Sequence, residues 1–140
     1  MMDCVHIILS GQPVGKGRPR FTRAGRTYTP AKTKEYEQKL RQAAILAMKD
    51  QDREPTEMPC RVVILAQFQI PKSWPKYKQQ AALTGEGNYK PGKPDIDNIA
   101  KAALDAMNGI VFKDDALVSK LEVEKRYGQP LLIATVYFDE

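Results

Sequence analysis

The sequence predicts an α/β fold of α+β character: a small mixed β-sheet with two main helices packed on one face. Three observations lead there. Two segments repeat apolar residues at three- and four-residue steps, and four others alternate or run apolar at strand length. Their order is strand–helix–strand–helix–strand–strand, and a short turn joining the last two excludes a long doubly wound parallel sheet. With 140 residues the chain suits a single domain, 1–140, because two independent cores would each be marginal.

Cys4 to Ser10 is β-branched and aliphatic, and reads as the first strand. Residues 11–29 are rich in Gly, Pro and Arg, hence a basic loop or loose hairpin with a short extended piece near Arg26-Thr27-Tyr28. Thr29 can cap a helix whose first residue is Pro30. Tyr36, Leu40, Ala43, Ala44 and Ala47 then carry that helix to about Lys49. Cys60 to Ile70 is a strand with Val62, Ile64, Ala66, Phe68 and Ile70 on one face. Residues 71–94, with four prolines and three glycines, form an insertion, either a flap beside a site or a surface elaboration. It holds a short helix from Trp74 or Pro75 to Leu83. A second main helix runs from about Asp95 to Met107 and stops at Asn108-Gly109. Ala116 to Tyr127 alternates, with Leu117, Ser119, Leu121 and Val123 opposite Lys120, Glu122, Glu124 and Arg126. After Gly128-Gln129-Pro130, Leu131 to Phe138 is apolar on both sides and belongs in the middle of the sheet.

Hydrophobic residues make up 42% and charged residues 28%, which excludes wholesale disorder. The net charge is +5, with seven Lys/Arg and no acid between Lys16 and Lys34, so polyanionic partners are favoured. No apolar run approaches a membrane span and no signal peptide is visible. Cys4 and Cys60 lack metal-ligand spacing and read as free thiols of a cytoplasmic protein.

Against this basic background, Lys93-Pro94-Asp95-Ile96-Asp97-Asn98-Ile99-Ala100-Lys101 gathers two carboxylates and an ammonium at a helix start, and Asp114-Asp115 follows. Asp97, Lys101 and Asp105 share one helix face. Asp95 and Asp97 would diverge by about 200° inside a helix. Pro94 resolves this by leaving Asp95 at the cap, free to swing towards Asp97. Two carboxylates about 5 Å apart repel by about 3 kcal/mol at an effective dielectric near 20, and a third calls for a cation. Oxygen-only ligands select Mg²⁺, with Mn²⁺ able to substitute, and a phosphodiester is the matching substrate. The plainer alternative makes Asp95 an N-cap, Asp97–Lys101 a surface ion pair and Asp114-Asp115 a turn.

The run from Lys93 to Asp115, the early Pro13-Val14-Gly15-Lys16-Gly17-Arg18-Pro19-Arg20 stretch and Arg126-Tyr127-Gly128 together resemble the RusA family of Holliday-junction resolvases. The resemblance implies that Asp95, Asp97 and Asp115 bind metal, with Asp114 the alternative member of its pair, and that Lys101 is essential. It further implies a homodimer, Mg²⁺ dependence and hydrolytic resolution of four-way DNA junctions in recombination and repair. A less selective flap or duplex nuclease, and a non-catalytic dimeric DNA-binding protein, are the competing classes.

Lys16, Arg18, Arg20, Arg23 and Arg26 are the expected contacts to DNA phosphates, with Phe21 and Tyr28 among them to stack on exposed bases. A phosphate-binding P-loop is excluded: the glycine spacing is one residue short, and Gly17 stands where a Mg²⁺-binding hydroxyl is needed. His6, the sole histidine, is expected to be packed and hydrogen-bonded, and Trp74 and Tyr77 to anchor the insertion, with a DNA-facing role as the alternative.

Overall fold

The computed structural model describes residues 3–17, 20–28 and 30–138, apart from the side chains of residues 20, 21, 28, 86 and 87. Elements follow the order β1 (Cys4–Ser10), β2 (Arg20–Phe21), β3 (Thr27–Tyr28), α1 (Ala31–Asp50), β4 (Cys60–Phe68), α2 (Lys76–Ala81), α3 (Ile96–Met107), β5 (Val118–Tyr127) and β6 (Leu131–Phe138). The fold is mixed α+β, with a four-stranded sheet in the order β1-β6-β4-β5. β6 runs antiparallel to β1 and β4, whereas β4 and β5 are parallel.

Strand alternation decides which face is covered. Val5, Ile7, Val62, Ile64, Ala66, Phe68, Leu132, Ala134, Val136 and Phe138 are buried together with Tyr36, Leu40, Ala44 and Met48 of α1 and Ile99, Ala103, Ala106 and Met107 of α3. The opposite side of β1 carries Ile8, 57% exposed. Both main helices therefore sit on one side, as the periodicity requires. Ala102, Ala103 and Ala106 keep α3 slim enough to approach the sheet and α1 closely.

β6 is interior, as its apolar run requires, but β5 and β6 do not form the expected hairpin. β4 lies between them. The connection passes over the end of β4, where Gly128 N donates to Phe68 O at 3.0 Å and Gln67 Nε2 to Gln129 O at 3.1 Å. Side-chain pattern specifies which face a strand buries, not which neighbour it takes, so a three-residue link was compatible with either arrangement.

Smaller corrections concern caps and the histidine. α1 begins at Ala31 with Pro30 in the cap position, one residue later than expected, and the Thr29 cap lies outside the described residues. His6 is exposed rather than packed, because it alternates with buried Val5 and Ile7 on the edge strand. Its Nδ1 still lies 3.0 Å from Thr135 Oγ1 on β6. Cys4 and Cys60 are not joined in a disulfide. No helix among the described residues is long and apolar enough to cross a membrane.

Candidate active site

α3 starts where the insertion ends. Asp95 occupies the N-cap in extended geometry, φ −65° and ψ 150°, yet its side chain makes no capping hydrogen bond. Ile99 N closes the first turn on Asp95 O at 3.1 Å. Asp95, Asp97 and Lys101 are all exposed, and among the described residues no ion pair joins Asp97 to Lys101. The Asp95 side chain thus makes no capping bond and Asp97 no pair with Lys101, while Asp97, in the first turn of α3, still favours the helix dipole.

The loop before Asp95 is held from below by two lysines that sequence reasoning missed. Lys125 Nζ donates to Pro94 O at 2.9 Å and also to Gly92 O. Lys90 Nζ donates to Lys93 O at 2.6 Å and Pro91 O at 3.1 Å, and Lys90 N bonds Lys125 O at 2.9 Å. Burial, and then repulsion from Lys125, lower the Lys90 pKa. Lys93-Pro94 is a cis peptide. Lys125 pairs with Ala66 in the sheet and so belongs to the helix-facing register with Val123. A lysine at an inward strand position was the signal that could have exposed it.

Asp114 and Asp115 arrive by a separate route. After α3, Gly109 N bonds Phe112 O at 2.8 Å, and Thr56 exchanges bonds with Val111 O and Lys113 N at 3.0 Å each. Asp114 then caps a 3-10 turn, accepting from Ala116 N at 3.4 Å, which gives it a structural task. Asp115 carries a raised pKa, from its hydrogen bond to Asp114, slight burial, and the charges of Asp114 and Asp105. Its electrostatic neighbours are thus Asp114 and Asp105. Among the described residues no three His, Cys, Asp or Glu groups are gathered so as to hold a metal. The uncommitted oxygens of Asp95 and Asp97 suit Mg²⁺, which is commonly held by one or two carboxylates plus substrate phosphates.

The basic arm is fixed at its base. Gly11 N bonds Pro130 O at 3.1 Å, Lys16 N bonds Asn98 O at 2.8 Å, and Gly17 N bonds Thr33 Oγ1 at 3.0 Å. Gly15 lies so close to the start of α3 that a Cβ there would sit 2.7 Å from Pro94 Cβ and 3.3 Å from Asn98 Cβ. Lys16 reaches Glu37 at 2.6 Å and Asp105 at 3.1 Å. Burial alone would lower its pKa, but these two carboxylates more than offset that and raise it. Its charge is compensated inside the chain, so it acts here as a strut between the arm, α1 and α3. Lys16→Met should cost about 1–2 kcal/mol in urea unfolding, since it strands two carboxylates. An unchanged midpoint would show the strut to be idle. Beyond it, β2 and β3 pair as a ribbon, Arg20 opposite Tyr28, and Arg23 and Arg26 are exposed at its tip. Arg18 lies outside the described residues.

The arm and Asp95 meet in a concavity of about 450 Å³, lined in part by Gly15, Lys16, Lys32, Lys93, Asp95 and Asn98. A polar cleft with lysines around a free carboxylate fits a phosphate-bearing strand better than an apolar ligand. The uncharacterized protein YqaN of Bacillus subtilis (strain 168) is similar along the whole arrangement, 33% identical over 132 residues and 91% of each chain. Residues 10–136, from the foot of the arm to the last strand, match the family described as endodeoxyribonuclease RusA. The chain belongs to the RusA family of endodeoxyribonucleases.

Proposed function

We propose that this chain is a Mg²⁺-dependent endodeoxyribonuclease that resolves four-way DNA junctions, working as a homodimer that nicks two opposed strands symmetrically. The observation that carries the chemistry is the exposed, internally unpartnered Asp95–Asp97–Lys101 set beside a lysine-lined concavity. Asp95 and Asp97 would hold the ion. Asp115 would join the same ligand set, as the resemblance of the run from Lys93 to Asp115 implies. The ion, when bound, supplies Lewis-acid polarisation of the scissile phosphate and an acidified water as nucleophile.

The protein's own groups do the rest. Lys101, one turn beyond Asp97, meets negative charge building on the phosphoryl oxygens. Lys32 and Lys93 receive flanking phosphates, while Arg18, Arg20, Arg23 and Arg26 extend the track along a duplex arm and set its position without reading sequence. Hydrolysis leaves 5′-phosphate and 3′-hydroxyl ends. Two-fold symmetry puts the nicks on opposed strands, where they can be religated.

Cleavage of labelled four-way, flap and linear duplex substrates, with and without Mg²⁺, tests this directly. Paired nicks confined to the junction and dependent on the ion are expected. Equal cutting of flap and duplex would leave a general metal nuclease instead.

A further inference from the structure

The insertion and β5 together line a second cavity, of about 400 Å³. Its walls are Trp74, Lys78, Ala82, Tyr89, Pro91 and Tyr127. Trp74 stands edge-on to Tyr127, ring centroids 5.4 Å apart and planes at 66°. Lys78 places its ammonium 4.1 Å from the Trp74 centroid. Arg126 covers Tyr89 at 4.3 Å and donates to its hydroxyl at 3.0 Å. Tyr89 remains 50% exposed, although it is fixed to β5 by a bridge to Arg126.

Aromatic residues that merely anchored the insertion would fill this space with their own rings. Here Tyr127 is buried and does anchor, but Tyr89 is tied to Arg126 with much of its surface open. Lys78 is the one cation among the lining residues, Arg126 beside it being paired with Glu124 at 2.8 Å, and the floor is aromatic. That combination suits a nucleobase stacked on a ring with its phosphate near an ammonium. The location agrees. Pro91 lies four residues before Asp95, so at most about 14 Å of chain separates the cavity from the acids. That is about four base steps along a strand.

We infer that this aromatic basin takes one unstacked nucleobase of the strand running past Asp95, so that the insertion selects DNA with an opened base step. The inference rests on the nuclease reading for its choice of partner. A base inside continuous duplex is stacked on both sides and cannot enter. A branch point or a single-nucleotide bulge offers one that can.

Trp74 is the chain's one tryptophan, so its emission reports on the basin. The full-length protein is titrated in EDTA, which keeps the DNA intact, with a four-way junction, a bulged duplex and a blunt duplex, while anisotropy records binding. Trp74 emission is expected to change on the first two and not on the third. Tyr89→Ala should weaken junction and bulge binding roughly tenfold, the scale of one lost base–aromatic stack, and leave blunt duplex binding unaltered. Unchanged emission at saturating junction, or equal weakening on all three DNAs, would overturn the inference. An emission change without any Mg²⁺-dependent cleavage would instead keep the base site and remove the nuclease reading.

Discussion

Asp97→Asn is expected to lower Mg²⁺-dependent junction cleavage by at least about 10²–10³-fold, the scale seen when one preorganised electrostatic contact at a reacting centre is lost. The substitution keeps the size of the side chain and removes only its charge. Asp97 is exposed and has no ion-pair partner among the described residues. Folding should therefore change by no more than about 1 kcal/mol, chiefly through the lost interaction of an acid with the first turn of α3. Junction binding should persist or tighten, because a negative charge facing phosphates has gone. Single-turnover cleavage together with anisotropy at matched salt separates the two effects. Full cleavage by the variant would remove Asp97 from the catalytic assignment. Asp115→Asn extends the test: a matching loss places it in the same ligand set, whereas near-normal cleavage removes it.

How much of this was visible beforehand depends on which physical signal each part leaves. The strands and the two long helices were legible because a buried face imposes period two or period 3.6 on the sequence, and residues such as Val62, Ile64 and Ala66 or Ile99, Ala103 and Met107 keep it. The acidic helix start was legible for a different reason. Pro94 marks the helix boundary in the sequence, and Asp95 is found at the cap with extended φ/ψ. Strand order was not legible, since β4 between β5 and β6 depends on bonds from Gly128 and to Gln129 that leave no periodic mark. Nor was the fate of Lys16. A basic run looks like a uniform arm, and only packing shows that this member faces Glu37 and Asp105 while Arg23 and Arg26 face outward. The clamp formed by Lys90 and Lys125 on the carbonyls of residues 91–94 was hidden for the same reason: its acceptors are backbone atoms.

The dependence of the site on ordinary core packing is sharpest at Phe112. Its side chain is fully buried, 0% exposed, and with Phe68 it is the largest such residue in the core. Phe112→Ala should cost about 3–5 kcal/mol, the transfer free energy of the ring plus the cavity left behind. That is a large share of the about 5–15 kcal/mol that typically separates a folded domain from its unfolded chain. A second consequence is local. Phe112 O receives Gly109 N, its neighbours Val111 and Lys113 bond Thr56, and Asp114 and Asp115 follow at once. The ring thus pins the turn that delivers both acids. Urea unfolding should show a lower midpoint with an unchanged slope, as expected for lost stability without a change in the surface exposed. Well below the melting temperature, where the variant is still folded, cleavage per folded molecule should also fall. Normal cleavage by that folded population would mean that the turn holds its shape without the ring. A destabilisation under about 1 kcal/mol would mean that the neighbouring side chains collapse into the space, contrary to the tight packing around Met107 and Val111.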